Sequence, residues 1–283
     1  MIKGRVINVK AGKYFVKTSD NTIECTAKGA MKIKSDGIYV GDFVEVDGGV
    51  IVSVLERKSK LLRPNVANAD VAVIVIANVP QPDLYLTDKF ISHCFLSGMP
   101  VIIAVNKIDD DPTVFDVIKA NYGGAVDRIF AVSAKRKDGL DELVDYLRGK
   151  LAVFTGQSAV GKTSIVNALF GENRRTGELS AKTNRGKQTT TECEIVEKGD
   201  LTVVDTPGFS ALDLDLIKAD IPASYPEFDG FNCKFRDCSH IKEMDCAVKE
   251  AVKNGEINAD RYNRYVEIYE SAKEDKYAKR KKN

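Results

Sequence analysis

Nothing in this 283-residue chain is apolar for long enough to cross a bilayer as a helix, which takes about 20 consecutive residues. Residues 1–10 also lack the apolar core of a secretory signal, so the chain reads as a cytoplasmic protein with no membrane partner. An excess of charge of either sign is missing as well. With 42 Lys and Arg against 41 Asp and Glu, the net charge of +1 gives no global basic field to announce a nucleic-acid partner. Local charge remains: Lys276–Lys282 forms a basic run, readable either as a local nucleic-acid contact or as a solvated helix end. Internal repeats and long low-complexity linkers are absent, and histidine is limited to His93 and His240. Of six cysteines, Cys25, Cys94 and Cys193 are scattered, as small core or surface residues are. Cys233, Cys238 and Cys246 are clustered, which in a reducing compartment suits a metal better than disulfides.

What is present is the make-up of a globular protein, 43% hydrophobic and 29% charged, long enough for two or three domains. Residues 1–62 hold short runs rich in Val, Ile, Tyr, Phe and Thr: Ile2–Val9, Lys13–Lys17, Thr22–Thr26, Asp42–Val46 and Val50–Leu55. Gly12, Ser19-Asp20-Asn21 and Asp47-Gly48-Gly49 punctuate them. Five short strands predict a small closed barrel, an OB-fold foremost, with an SH3-like barrel as the competitor. Lys3, Arg5, Lys13, Tyr14, Phe15 and Lys17 offer a face that could hold RNA; the same residues read equally as core aromatics and solvating lysines.

Residues 63–220 change character. Val71–Ala77 and Val101–Val105 are continuous apolar runs, as parallel strands covered on both faces require. Arg128–Val132, Leu151–Thr155, Cys193–Glu197 and Leu201–Val204 read as further strands, with helices over Leu84–Ser97, Thr113–Tyr122, Leu140–Lys150 and Lys162–Phe170. The alternation predicts a doubly wound α/β sheet with its chemistry at the carboxyl ends of the strands. Residues 221–283 form a third, mostly α zone, with the Cys/His cluster and a polar helix from about Asp260 to the end.

Four motifs follow predicted strands. Gly156-Gln157-Ser158-Ala159-Val160-Gly161-Lys162-Thr163-Ser164 lies between a strand and a helix, the context of a phosphate-binding loop. Its glycines let backbone N–H groups wrap an anion at a helix N-terminus, Lys162 reaches the β- and γ-phosphates, and Thr163 ligates Mg²⁺. Asn106-Lys107-Ile108-Asp109 and Ser133-Ala134-Lys135 are base readers. The Asp109 carboxylate matches guanine N1–H and the 2-amino group, Lys107 lies over the base, and Asn106 ties loops together; adenine would leave the carboxylate unpaired. A backbone N–H of the Ser133–Lys135 loop meets guanine O6. Asp205-Thr206-Pro207-Gly208 is the γ-phosphate sensor: Asp205 holds Mg²⁺ and the Gly208 N–H touches the phosphate. In the polar Gly186–Thr191 segment, Thr190 completes the Mg²⁺ shell when GTP is bound. Phe209 follows that glycine, where many GTPases carry a Gln to orient water, so intrinsic hydrolysis should be slow. Gln188 is the candidate replacement, or else an exposed loop residue.

The base readers precede the phosphate loop, which precedes the sensor, whereas an ordinary GTPase opens on its phosphate loop. Only 24 residues then separate Gly208 from Cys233, a short path from sensor to metal cluster. That cluster, Cys233-x4-Cys238-x-His240-x5-Cys246, supplies three thiolates and an imidazole, a closed tetrahedral set for one structural Zn²⁺. His93 reads as structural.

This ordered set, with Arg63-Pro64-Asn65-Val66-Ala67-Asn68 ahead of it, resembles the bacterial, ribosome small subunit-dependent, circularly permuted GTPases over essentially the whole chain. The resemblance implies a multi-domain protein: an N-terminal β-barrel (OB-fold, 1–62) that binds RNA, a permuted P-loop GTPase domain (63–220) and a zinc-binding domain (221–283). It further implies a monomeric late assembly factor whose partners are GTP and GDP, with Mg²⁺, and the small ribosomal subunit with its rRNA. Family members usually carry His where this chain has Gln188, so that residue's role in hydrolysis passes to a side chain that cannot act as a cationic acid. A passive RNA-binding protein with a slow GTP switch, and a permuted GTPase with a non-ribosomal partner, stay open.

Overall fold

The computed structural model describes residues 1–28, 37–62, 64–171, 193–206 and 216–274. Strands β1 (Ile2–Lys10), β2 (Lys13–Lys17), β3 (Thr22–Ala27), β4 (Phe43–Asp47) and β5 (Val50–Val54) close on themselves. Antiparallel pairs β1–β2, β2–β3, β4–β5 and β1–β4, with a parallel β3–β5 pair, give the barrel order β1-β2-β3-β5-β4-β1. That is the OB-fold arrangement, so the SH3-like alternative falls away. Period-2 alternation drives it: Val6, Val16, Cys25, Val44, Val46 and Ile51 point inward and form the barrel core. The proposed RNA face is partly spoken for. Arg5 donates to Asn68 O and lies 5.1 Å from the Phe43 ring centre; Lys13 pairs with Glu24 and Lys17 with Glu197.

A short hairpin, β6 (Lys60–Leu62) and β7 (Asn65–Ala67), leads out of the barrel. Buried Asn68, at φ +58, fixes the junction: its Nδ2 donates to Gly41 O (3.1 Å) and its Oδ1 accepts from Lys58 N (3.0 Å). Asp42 holds Arg57 through two 2.7 Å hydrogen bonds beside it.

The central sheet contains β8 (Val71–Ala77), β9 (Val101–Asn106), β10 (Arg128–Ala131), β11 (Leu151–Thr155), β12 (Glu194–Lys198) and β13 (Leu201–Asp205). Their spatial order is β10-β9-β8-β11-β13-β12, all parallel but β12. Every residue of β8, β9 and β11 is buried, because helices cover both faces. Ile74, Ile76, Ile103 and Val105 pack on one side with α1 (Leu84–Leu96) and α2 (Thr113–Tyr122). Val73, Val75, Ile102 and Ala104 pack on the other with α3 (Leu140–Leu147) and α4 (Lys162–Phe170). Strand order reverses between β8 and β11, which opens the ligand crevice of such sheets. Beyond β13, edge strand β12 pairs with β1 at Asn8↔Glu194, so the barrel covers an otherwise open edge.

Helices α5 (Ala247–Lys253) and α6 (Ala259–Ser271) build the C-terminal module on a core of Leu216, Ile221, Tyr225, Phe228, Val248, Tyr265 and Ile268. Two helix ends differ from expectation. The predicted helix through Lys150 stops at Leu147, where Arg148 turns extended and Gly149 adopts φ +69. The helix expected to run to the end stops at Ser271; Ala272 is extended and Lys273 bridges back to Ile217. The expected basic tail lies outside the described residues.

The module is bolted to the sheet by buried charge. Asp88 of α1 accepts from Arg261 Nη1 (2.7 Å) and Arg264 Nε (2.5 Å). Arg261 also pairs with Glu227, and the Tyr122 and Tyr225 ring centres lie 5.0 and 4.7 Å from its guanidinium. Asp88→Ala would take a buried carboxylate from two arginines at once, leaving Arg261 only Glu227 and Arg264 no ion-pair partner among the described residues. Chemical denaturation should then report a loss of about 3–5 kcal/mol; a midpoint unchanged from the parent would contradict this packing.

Candidate functional site

Three loops meet where the sheet order reverses. The phosphate-loop sequence leaves β11 and enters α4. Gly156 has φ +141 and a Cβ there would lie 2.3 Å from Val75 O, so no other residue fits. Gly161 has φ +96, and its Cβ would lie 2.3 Å from Asn106 Nδ2. Lys162, 7% exposed, turns its ammonium into the loop at 2.7 Å from Gly156 O and 2.6 Å from Gln157 O. Thr163 and Ser164 stand in the first turn of α4, half-buried and exposed respectively. Exposed Ser158 and Ala159 form the rim.

Asn106 ends β9 with its side chain buried. Its Nδ2 donates to Val160 O (2.9 Å) and its Oδ1 accepts from Ala134 N (3.1 Å), so one amide joins all three loops. Lys107, at φ +64, stretches from the second loop to the first and donates to Ala159 O (2.9 Å) and Val79 O (2.7 Å). Asp109 has a side chain only 3% exposed; its Oδ1 accepts from Ser133 Oγ at 2.6 Å. Lys135 and Arg136 stand 3.9 and 4.0 Å from its other oxygen. The Ser133 hydroxyl holds the Asp109 carboxyl below the ordinary carboxylate range against the opposing effect of burial, and the two cations add to it. Asp109 therefore presents a charged acceptor, while its backbone frame is set by the carboxyl ends of β9 and β10.

Residues between β8 and α1 complete the crevice. Gln157 Oε1 accepts from Asp83 N (3.1 Å) and its Nε2 donates to Gln81 O (3.4 Å); Asp83 caps α1 by accepting from Leu86 N (2.8 Å). An Asp preceding an apolar helical run is a readable cap, but its contact with Gln157 spans 74 residues and has no local sequence signal. Thr206 was likewise missed as an anchor: its Oγ1 donates to Phe154 O (2.7 Å), tying the end of β13 to β11. The Asp205 backbone ends β13 in register with Glu194. The Asp205 side chain, Gln188, Thr190, Gly208 and Phe209 lie outside the described residues.

The second cluster is far along the chain. Ligand atoms of Cys233, Cys238, His240 and Cys246 all fall within 4.8 Å of one another. His240 Nδ1 stands 3.5 Å from Cys233 Sγ and 3.4 Å from Cys246 Sγ, and those two sulfurs are 3.8 Å apart. Tetrahedral thiolates about 2.3 Å from one ion would be separated by just under 4 Å, so the donor set fits a metal such as zinc with no open position. Burial opposes ionisation of Cys233, yet the Val248 and Ala247 N–H groups bring its pKa down; burial pushes Cys238 up to about 12. A bound cation would displace that proton. The loop is braced from α6: Tyr262 donates to His240 O (2.6 Å) and Tyr265 to Ser239 O. Glu243 closes it, accepting from Ser239 N (2.9 Å) and Ile241 N (3.0 Å). His93 stands apart from this cluster, its Nε2 accepting from Leu62 N at 3.5 Å.

An acid with a depressed folded pKa contributes stability that is complete above its unfolded pKa and lost as pH falls through the folded value. Ser133→Ala should move the Asp109 midpoint up toward the ordinary carboxylate range in a carbon-detected NMR titration. An unmoved midpoint would show that the hydroxyl does not hold the charge.

The RsgA GTPase family model matches residues 54–215, and the RsgA N-terminal domain model matches residues 3–49. A Clostridium beijerinckii protein named small ribosomal subunit biogenesis GTPase RsgA is 38% identical over 286 residues, covering 97% of this chain and 98% of its own. Its namesake from Clostridium novyi is 40% identical over 281 residues, covering 95% of this chain and 97% of its own. Among solved structures, YjeQ from Thermotoga maritima superposes with a TM-score of 0.79 at 32% identity, over 95% of this chain and 97% of that one. YloQ, described as a circularly permuted GTPase, gives a TM-score of 0.74 at 28% identity, over 95% and 94%. The chain belongs to the RsgA family of circularly permuted GTPases and is a GTP-hydrolysing enzyme.

Proposed function

We propose that this enzyme is a late-acting maturation factor of the small ribosomal subunit, and that the subunit stimulates its GTP hydrolysis. The observation that carries the nucleotide half is the Asn106 amide, which brings a charged Asp109 and the Gly156–Ser164 loop into one crevice. The ribosomal half rests on relatives named for small-subunit biogenesis. We divide the chain into an OB barrel for RNA contact (1–62), the GTPase domain (63–220) and a zinc domain (221–283).

In this reading Asp109 accepts from guanine N1–H and the 2-amino group. Ser133 N donates to Asp138 O and Ala134 N to Asn106, so O6 is assigned to the Lys135 N–H. Lys107 covers the base with its stem. Backbone N–H groups from Gly156 to Thr163 receive the phosphates, and Lys162 leaves its loop carbonyls for the β- and γ-oxygens. Mg²⁺, which neutralises developing phosphate charge, would be held by Thr163, Asp205 and Thr190. Gln188 is assigned to orient the attacking water in place of the family His. Cys233, Cys238, His240 and Cys246 would hold one structural Zn²⁺.

Three outcomes check this. Asp109→Asn should weaken GTP binding roughly 10- to 100-fold, the loss of charge-assisted hydrogen bonds, with the fold retained; equal affinity would reject the base reader. Single-turnover hydrolysis should accelerate with purified small subunits, and Gln188→Ala should lose that acceleration while keeping GTP affinity. No acceleration in the parent would favour a passive nucleotide-dependent RNA binder. Metal analysis should find one zinc per chain, and its removal by chelation should unfold residues 233–246 while the GTPase core stays cooperative; an unchanged fold after complete zinc removal would overturn the structural role.

A further inference from the structure

We propose that the P-loop is positioned from the C-terminal module through α1, with Gln157 and Lys107 as its positioning residues. The inference rests on the guanine-pocket reading above. The segment 79–83 is clasped to the P-loop at both ends: Lys107 bridges Val79 O and Ala159 O, and Gln157 takes Asp83 N and Gln81 O. Asp83 is at once the cap of α1 and the point that Gln157 grips. One turn further on, Asp88 spends both carboxylate oxygens on Arg261 and Arg264 of α6. Arg264 Nη2 also donates to Asn121 Oδ1 of α2 at 3.0 Å, and Asn258, the α6 cap, donates to Ala120 O at 3.1 Å. The same α6 carries Tyr262 and Tyr265, which hold the backbone of the metal loop.

Two helices therefore join metal loop to phosphate loop through buried ion pairs at Asp88 and exposed hydrogen bonds at Gln157. Asp88 is wholly buried and its partners are forked guanidiniums, so α6 cannot slide along α1 without breaking charge-assisted hydrogen bonds. A displacement of the C-terminal module on its partner would pull on Asp83 and hence on Gln157. Reciprocity then requires that nucleotide at the P-loop be felt at α6.

Hydrogen exchange on the zinc-loaded full chain tests this without a substitution. GDP should slow exchange in residues 156–164, in the first turn of α1 and in α6 (259–271), by about 5-fold or more at α6, the lower end of typical intersite coupling. Arg264→Lys keeps the charge but loses the Nε and Nη2 contacts to Asp88 and Asn121, while Arg261 still holds Asp88. With zinc content and melting checked, it should reduce the α6 response, preserve that of 156–164, and weaken GDP binding by the factor that the α6 response loses; an α6 response equal to the parent's overturns the inference. Protection of 156–164 with α6 unmoved in the parent overturns the inference alone. Failure of GDP to bind the parent overturns the pocket assignment and the inference together.

Discussion

Asn106 spends its side-chain amide inside the protein, the Nδ2 group donating and Oδ1 accepting, on loops that leave two different strands, and the proposed nucleotide site is built around that division. Val160 takes the donor and Ala134 supplies the hydrogen for the acceptor. No hydrophobic residue of similar size could do both, and a shortened polar one could not reach. The same contact explains why Gly161 must be glycine: its missing Cβ is the space that Asn106 Nδ2 occupies. In the proposed pocket, phosphate recognition and base recognition are thereby one geometric problem. If the amide shifts, Lys162 and Asp109 lose their common frame.

The permutation leaves this untouched because a parallel sheet is assembled by neighbours in space. β8 comes first in the GTPase region and β11 fourth, yet they are adjacent and place the loops of the crevice side by side. What the rotated order changes is where other modules attach. The barrel precedes β8 and reaches round to cover edge strand β12. The C-terminal module follows β13 and packs on α1 and α2, the face opposite to that covered by α3 and α4. One set of nucleotide loops thus stands between two modules, each fixed by buried polar groups: Asn68 and Asp42 on the barrel side, Asp88 and Arg261 on the other.

Much of this was legible in the chain. Unbroken apolar runs marked β8 and β9 because both faces of those strands are covered, and short runs rich in β-branched and aromatic residues between turn residues marked the barrel. Phosphate-loop glycines, base readers and the Cys/His spacing carry their own chemistry, and the structure brings the described members of each together. Polar residues that work at a distance were not legible. Asp88 and Arg261 are 173 residues apart, and either alone reads as a solvated helix charge. Lys13 and Lys17 looked like a nucleic-acid face, yet each faces a glutamate across strands. The polar pattern after Asp260 promised a longer helix than forms, since backbone pairing of Lys273 with Leu216 and Lys218 ends it.

The central claim is that this crevice reads guanine through a charged Asp109 set beside the phosphate loop. Competition calorimetry with GTP, ITP and ATP tests it directly, since inosine lacks only the 2-amino donor and adenine lacks both donors and O6. The account predicts affinity falling stepwise from GTP to ITP to ATP. Equal affinity for all three, or ATP bound as tightly as GTP, would contradict it.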